Sequence, residues 1–168
     1  MNKYKFDDLV NIMDKLRGEG GCPWDAEQTH ESLKKNMIEE AYEALEAIDS
    51  GDGDKMADEL GDLLLQIVFH AQIGKDQGEF DIDDVTHAVC TKMIRRHPHV
   101  FGDVKVETSD DVIVNWDEIK KQEKSYTTVT ETLKGVSNYL PALMRAQKVQ
   151  SKASKAGFDW QDDGSGAI

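Results

Sequence analysis

The stretch NMIEEAYEALEAIDSGDGDKMADELGDLLLQIVFHAQ, residues 36–72, carries two helix-period patterns around one turn. Before the turn, Leu33, Met37, Ala41, Ala44 and Ile48 recur at the spacing of one helical face, which predicts an amphipathic helix over residues 29–49. Ser50-Gly51-Asp52-Gly53 supplies the chain reversal. After it, Leu63, Leu64, Leu65, Ile67, Val68 and Phe69 surround a second helix, predicted over residues 54–76, on all sides. An all-round apolar helix belongs at the centre of a bundle. So short a connection makes the two helices antiparallel neighbours.

Outward from this hairpin the pattern stays helical. Phe6, Leu9, Val10, Met13 and Leu16 predict a helix over residues 5–17, stopped by the glycines of residues 18–21. Asp81 is a candidate N-cap for a helix carrying Ile82, Val85, Val89 and Met93 to the stop at His97-Pro98. Val112, Trp116 and Ile119 predict another over residues 109–124, and Leu143, Ala146, Val149 and Ala153 a last one over residues 139–156. Pro23, Pro98 and Pro141 all lie between periodic segments, where helices begin or end. No alternating strand pattern competes, so the expected fold is an all-α helical bundle. The 168 residues suit one domain with its own core. The expected division is a functional domain over residues 1–124, a Ser/Thr-rich mobile linker over 125–138, and a terminal helix and tail over 139–168.

Charge and composition exclude whole classes of partner. The net charge is −13, which repels nucleic acid and anionic membranes. No apolar run approaches the roughly 20 residues of a membrane span. The first residues show no secretory h-region, so a cytoplasmic location is expected. Cys22 and Cys90 have no metal-ligand spacing around them and read as reduced thiols.

Four acids stand out by position. Glu40 and Glu43 are three apart on the first helix of the hairpin, and Glu59 and Asp62 three apart on the second, so each pair projects from one face. The antiparallel turn brings the pairs together. Two carboxylates about 4 Å apart repel by on the order of 4 kcal/mol at an effective dielectric near 20, so convergence calls for a cation. Hard oxygen donors suit Mg²⁺ or Mn²⁺. The same spacing also fits a solvated acidic surface. Glu27-Gln-Thr-His30 has the Glu-x-x-His spacing of di-iron bundles but lacks the second copy such sites need, and the glycine-rich acids from Asp49 to Asp54 fail the calcium-loop pattern. No P-loop is present. Basic side chains cluster at two helix ends, Lys92, Arg95 and Arg96 at one and Lys120, Lys121 and Lys124 at the other, where they also complement helix dipoles. Trp24 and Trp116 suit either the core or base stacking.

Together these residues resemble the MazG-type nucleoside triphosphate pyrophosphohydrolases of the all-α NTP pyrophosphatase superfamily. The likeness rests on Gly21-Cys-Pro-Trp-Asp25, Glu39-Glu-Ala-Tyr-Glu43, Glu59-Leu-Gly-Asp62, Arg95-Arg-His-Pro-His-Val-Phe101 and Leu140-Pro-Ala-Leu-Met-Arg-Ala-Gln147, in that order. The resemblance implies that Glu40, Glu43, Glu59 and Asp62 hold Mg²⁺ and that Asn36, Lys55, Lys92, Arg95, Arg96, Trp116 and Lys120 contact the nucleotide. It implies Glu39 as the group that orients or deprotonates water, and a homodimer or dimer of dimers as the assembly. The expected reaction gives a nucleoside monophosphate and pyrophosphate, in nucleotide-pool house-cleaning or regulation. A narrower hydrolase for dUTP or damaged nucleotides, and a silent dimerisation or nucleotide-sensing module, are the alternatives. Family members with Gly157-Phe-Asp-Trp160 commonly continue into a second similar domain.

Overall fold

The computed structural model describes residues 3–123, 126 and 128–158; Lys124, Asp159, Trp160 and the tail to Ile168 lie outside the described residues. The chain is all-helical, with no strand among the described residues. It divides into two compact units, Met1–Thr91 and Lys92–Ile168.

In the first unit, α1 (Phe6–Arg17) begins where the Asp8 carboxylate accepts the Lys5 backbone N–H at 2.7 Å and ends at Gly18. A short α2 (Pro23–Glu27), not predicted, starts with proline at a position where the missing N–H costs nothing. The next helix, α3 (Lys34–Ser50), begins five residues later than the predicted 29. Thr29 and Ser32 cap each other's backbone there, Thr29 N–H to Ser32 Oγ at 3.0 Å and Ser32 N–H to Thr29 Oγ1 at 3.1 Å, which diverts the backbone from helix.

The predicted hairpin is present. Gly51 ends α3 at φ 69°, a left-handed conformation that favours glycine. Asp52 then caps α4 (Gly53–Gln77), accepting the N–H groups of Asp54 and Lys55 at 3.0 and 3.2 Å. Ala44 and Ala47 are buried where α3 packs along α4, and their small side chains let the backbones approach.

The core gathers Met13 of α1, Leu33 ahead of α3, and Val68, Phe69 and Ile73 of α4. Full burial stabilises each such side chain by about 1.5–3 kcal/mol. Arg17 clamps the unit: its Nε lies 2.7 Å from the Asp76 carboxylate, its Nη1 donates to the carbonyl oxygens of Asp25 and Gln28, and its cation lies 5.6 Å from the Phe69 ring centre.

Two predictions about burial need correction. Only the second half of α4 is central; Leu60 and Leu64 in the first half are exposed, because nothing in the unit covers that side. Ile48, read as part of the buried stripe of α3, is 51% exposed, while the seam against α4 runs through the two alanines.

The helix α5 (Ile82–Arg96) runs across the division between the units. The second unit adds α6 (Pro98–Phe101), α7 (Ser109–Glu123), α8 (Val129–Lys134) and α9 (Ala142–Lys155). Like α2, α6 is a proline-started turn outside the predicted set. The third addition, α8, forms inside the stretch read as linker. Thr128 Oγ1 accepts the Glu131 N–H at 3.2 Å while the Glu131 carboxylate accepts the Thr128 N–H at 3.0 Å, a reciprocal cap that starts the helix.

Candidate functional site

The hairpin fixes where its acids meet. Glu40 and Glu43 leave one edge of α3, Glu59 faces them from α4, and one carboxylate oxygen from each lies within 4.8 Å of the others. Glu40 and Glu59 are half-buried and Glu43 is exposed. Glu40 registers the crowding. Its pKa is raised, first by burial, then by the charges of Asp62, Glu43, Glu59 and Glu39 in that order. Asp62 stands outside the tightest trio, yet its charge acts on Glu40 more strongly than theirs. The donor set is three or four hard oxygens with concentrated negative charge, which fits Mg²⁺ or Mn²⁺ and offers nothing to a soft metal.

The other residues singled out from the sequence have varied surroundings. Glu39 lies at the surface, 2.9 Å from Lys35 Nζ. Lys55 pairs with Glu46 at 3.1 Å, and its raised pKa reflects Glu46 first, with a smaller contribution from Glu59. Asn36 is half-buried on the first turn of α3.

Lys92, Arg95, Arg96, Trp116 and Lys120 belong to the second unit. There Arg95 and Arg96 converge on Glu123, a partner that the sequence did not suggest. Arg96 grips it bidentately, Nε to Oε1 at 3.1 Å and Nη2 to Oε2 at 2.6 Å. The Arg96 hydrogen bonds, with further help from Arg95, hold the Glu123 carboxyl at about 2. Trp116 lies beside His97, ring centres 5.6 Å apart, with Lys120 Nζ 4.8 Å from its own ring centre. The indole N–H of Trp116 is buried with no acceptor among the described residues.

A second unforeseen contact involves His30, whose Glu-x-x-His spacing had been set aside. Its Nδ1 is 2.7 Å from Nδ1 of His70 on α4, so one ring must donate and the other accept. The rings stack on each other, and His30 stacks in turn on Phe80.

Comparison with known proteins follows the same residues. The model of the MazG nucleotide pyrophosphohydrolase domain matches residues 28–101, a span that holds all four hairpin acids and stops short of Trp116 and Lys120. The nucleoside triphosphate pyrophosphohydrolase/pyrophosphatase MazG of Thermotoga maritima is 49% identical over 157 residues, covering 94% of this chain and 60% of that protein. The nucleoside triphosphate pyrophosphohydrolase of Escherichia coli is 45% identical, with 93% and 60% covered. An uncharacterised Bacillus subtilis protein, YabN, is 56% identical over 88% of this chain and 30% of its own length. The chain therefore spans less than two thirds of the length of each of these relatives. Among solved structures, a mazG-related protein from Thermotoga maritima superposes with a TM-score of 0.58 at 26% identity, covering 68% of this chain and 98% of that one.

Proposed function

Since the chain carries a MazG nucleotide pyrophosphohydrolase domain, we propose that it hydrolyses nucleoside triphosphates to the monophosphate and pyrophosphate with Mg²⁺, or Mn²⁺ in its place, held by Glu40, Glu43, Glu59 and Asp62. The observation that carries this reading is the meeting of three carboxylate oxygens within 4.8 Å across the α3–α4 hairpin, where burial first and the neighbouring acid charges second raise the pKa of Glu40. A bound divalent ion supplies Lewis-acid polarisation of a phosphoryl oxygen and an acidified water.

The chain's own residues do the rest. Asn36 and Lys55 flank the acids on the same hairpin and are proposed to contact the nucleotide. Lys92, Arg95, Arg96, Trp116 and Lys120 are the further nucleotide contacts proposed, the cations for phosphate oxygens and the indole for the base. Glu39 is proposed to orient the attacking water or take its proton. Its surface pair with Lys35 is worth less than about 1 kcal/mol, so the carboxylate is easily released for that role.

Self-association is part of the proposal. Ile38, Tyr42 and Leu45 form an i, i+4, i+7 stripe along α3 and are each more than half exposed, an apolar strip that a second copy would cover. We place the enzyme in the cytoplasm, in nucleotide-pool house-cleaning; no helix among the described residues is long and apolar enough to cross a membrane.

The test is a panel of nucleoside triphosphates with Mg²⁺, scoring pyrophosphate against orthophosphate. Stoichiometric pyrophosphate and monophosphate, abolished by EDTA and by Glu40→Gln, is the expected result. Orthophosphate release, or no turnover of any triphosphate, would overturn the assignment.

A further inference from the structure

Arg95 and Arg96 are the last two residues of α5, and Glu123 is the last residue of α7. Neither placement explains itself locally. Consecutive helical residues leave the axis about 100° apart, so neighbouring arginines diverge unless something gathers them. A carboxylate on the final turn of a helix opposes the dipole, which favours cations there. The two oddities resolve each other. Glu123 Oε1 accepts from Arg95 Nε at 2.9 Å and from Arg96 Nε at 3.1 Å, and Oε2 accepts from Arg96 Nη2 at 2.6 Å. Arg95 Nη2 lies 2.7 Å from Oε1 as well. Lys120, three residues before Glu123 and an ordinary partner at that helical spacing, lies over the Trp116 ring instead.

Which guanidinium atoms are used decides what the pairing does. A guanidinium carries five N–H groups in a planar fork, with a side edge of Nε and Nη2 and an end edge of Nη2 and Nη1. Both arginines meet Glu123 through the side edge. Their end edges, each able to take two phosphate oxygens, therefore point away from it. An inhibitory latch would cover the end edge, the one a phosphate needs. The Glu123 side chain is 12% exposed against 55% for Arg95, so the carboxylate is the sheltered member and Arg95 the outward one. Hydrogen bonds from Arg96 first, then Arg95, hold the Glu123 carboxyl at about 2, and it keeps its charge at neutral pH. One carboxylate cancels one of two cations, which leaves the cluster positive.

We propose that Glu123 is a positioning residue for the hydrolysis: it holds Arg95 and Arg96 side by side and leaves their end edges to the triphosphate. The claim rests on the proposed reaction and adds to it a residue that touches no substrate and lies beyond residues 28–101, the span matched by the domain model. Charge and orientation oppose each other at this position. Removing the carboxylate makes the cluster more positive, which by itself tightens its hold on an anion. It also lets the arginines part, which loosens that hold. The proposal requires orientation to win.

Steady-state hydrolysis of a nucleoside triphosphate with Mg²⁺ measures the balance in the wild type, Glu123→Gln and Glu123→Asp, at a temperature where circular dichroism shows all three folded. Glu123→Gln should lower kcat/KM about tenfold or more, with most of the loss in KM. A smaller folded fraction would lower kcat and leave KM alone, so the split separates positioning from stability. Glu123→Asp keeps the charge and should recover part of the loss. In an Arg96→Gln background, Glu123→Gln should cost less than about threefold, because its effect passes through the guanidinium groups. Equal losses in both backgrounds, or an unchanged or improved kcat/KM in folded Glu123→Gln, would overturn the proposal and leave the reaction standing; improvement would make Glu123 a latch. A wild type that turns over no triphosphate would remove the reaction itself. The same variants are then compared by calorimetric titration of the triphosphate with Mg²⁺, where tighter or equal binding by Glu123→Gln, or no binding by the wild type, would remove the positioning role too.

Discussion

Glu40→Gln probes the hairpin acids where they are most crowded. Its carboxylate is half-buried, and the nearest oxygens of Glu43 and Glu59 lie within 4.8 Å. Two unit charges at that separation repel by about 3.5 kcal/mol at an effective dielectric near 20 and about 0.9 kcal/mol in bulk water. Partial exposure puts each pair between these limits, and each carboxylate spreads its charge over two oxygens, which lowers the figure further. Removing one charge from this group should then stabilise the metal-free fold by about 1–3 kcal/mol, a rise in Tm of several degrees for a domain of this size.

The pH dependence has a definite sign. Glu40's folded pKa is raised above the ordinary 4.5, so protonated Glu40 favours the fold, and the wild type loses stability as pH rises from 4.5 through the raised value. The advantage of Glu40→Gln in EDTA should be full at neutral pH and vanish below about 4.5. It should also shrink in 1 M salt, where the Debye length falls to about 3 Å. Adding Mg²⁺ should raise the wild-type Tm by mass action and the variant's much less. The assay is thermal melting by circular dichroism across these conditions. A variant that melts at or below the wild type in EDTA at neutral pH, with no response of either protein to Mg²⁺, would refute both the repulsion and the shared ion.

Other consequences can be read with similar measurements. Glu123→Gln should lower Tm at neutral pH, and because Glu123's folded value is about 2, the difference should persist down to pH 4.5 and disappear as pH falls toward 2. The His30–His70 bond needs one neutral ring; burial and then His30 lower the pKa of His70, so its contribution is fully present above pH 6.5, the ordinary value, and is lost as pH falls through the lowered one. His70→Gln should flatten that limb of a melting profile. A Cβ on Gly74 would stand 2.7 Å from the Phe80 carbonyl oxygen and 2.8 Å from its ring, so Gly74→Ala should cost about 1–3 kcal/mol in denaturant unfolding while leaving activity per folded molecule intact. Leu45→Glu should shift the assembly to monomer by light scattering without loss of helix.

The legible parts of the fold were those encoded within a few residues. Gly51 and Asp52 announce the hairpin because a left-handed cap and a carboxylate cap are local chemistry, and the i, i+3 spacing of Glu40 with Glu43 fixes a shared edge in any helix. The short helices α2 and α6 were hidden because one turn has no periodicity; only Pro23 and Pro98 mark them. Glu123 could not be assigned to Arg96 for a different reason. The two are 27 residues apart, and several acids on α7 were equally eligible until the chain path chose one. His30 and His70, 40 residues apart, pose the same problem.

Periodicity also shows that residues share a face without showing what covers it, and α3 makes the distinction concrete. At about 100° per residue, Ala44 and Ala47 define the seam against α4, Glu40 projects between them one turn earlier with Glu43 just beside the seam, and Ile38, Tyr42 and Leu45 lie on the opposite face. Ile48 shares the helical stripe of the alanines yet stands outside the seam, half exposed where they are buried. The seam is closed by the hairpin itself, whereas the apolar flank has no partner within the unit. A second copy laid on Ile38, Tyr42 and Leu45 would remove that surface from water and leave the carboxylate edge, roughly half a turn away around the helix, open to an ion. Association and ion binding are thus separable on α3: Leu45→Glu should dissolve the assembly yet keep the Mg²⁺-dependent rise in Tm, and Glu40→Gln should lose that rise while keeping the assembly. Loss of both properties in either variant would mean that the two flanks act through one another and that the helix does not divide its work in this way.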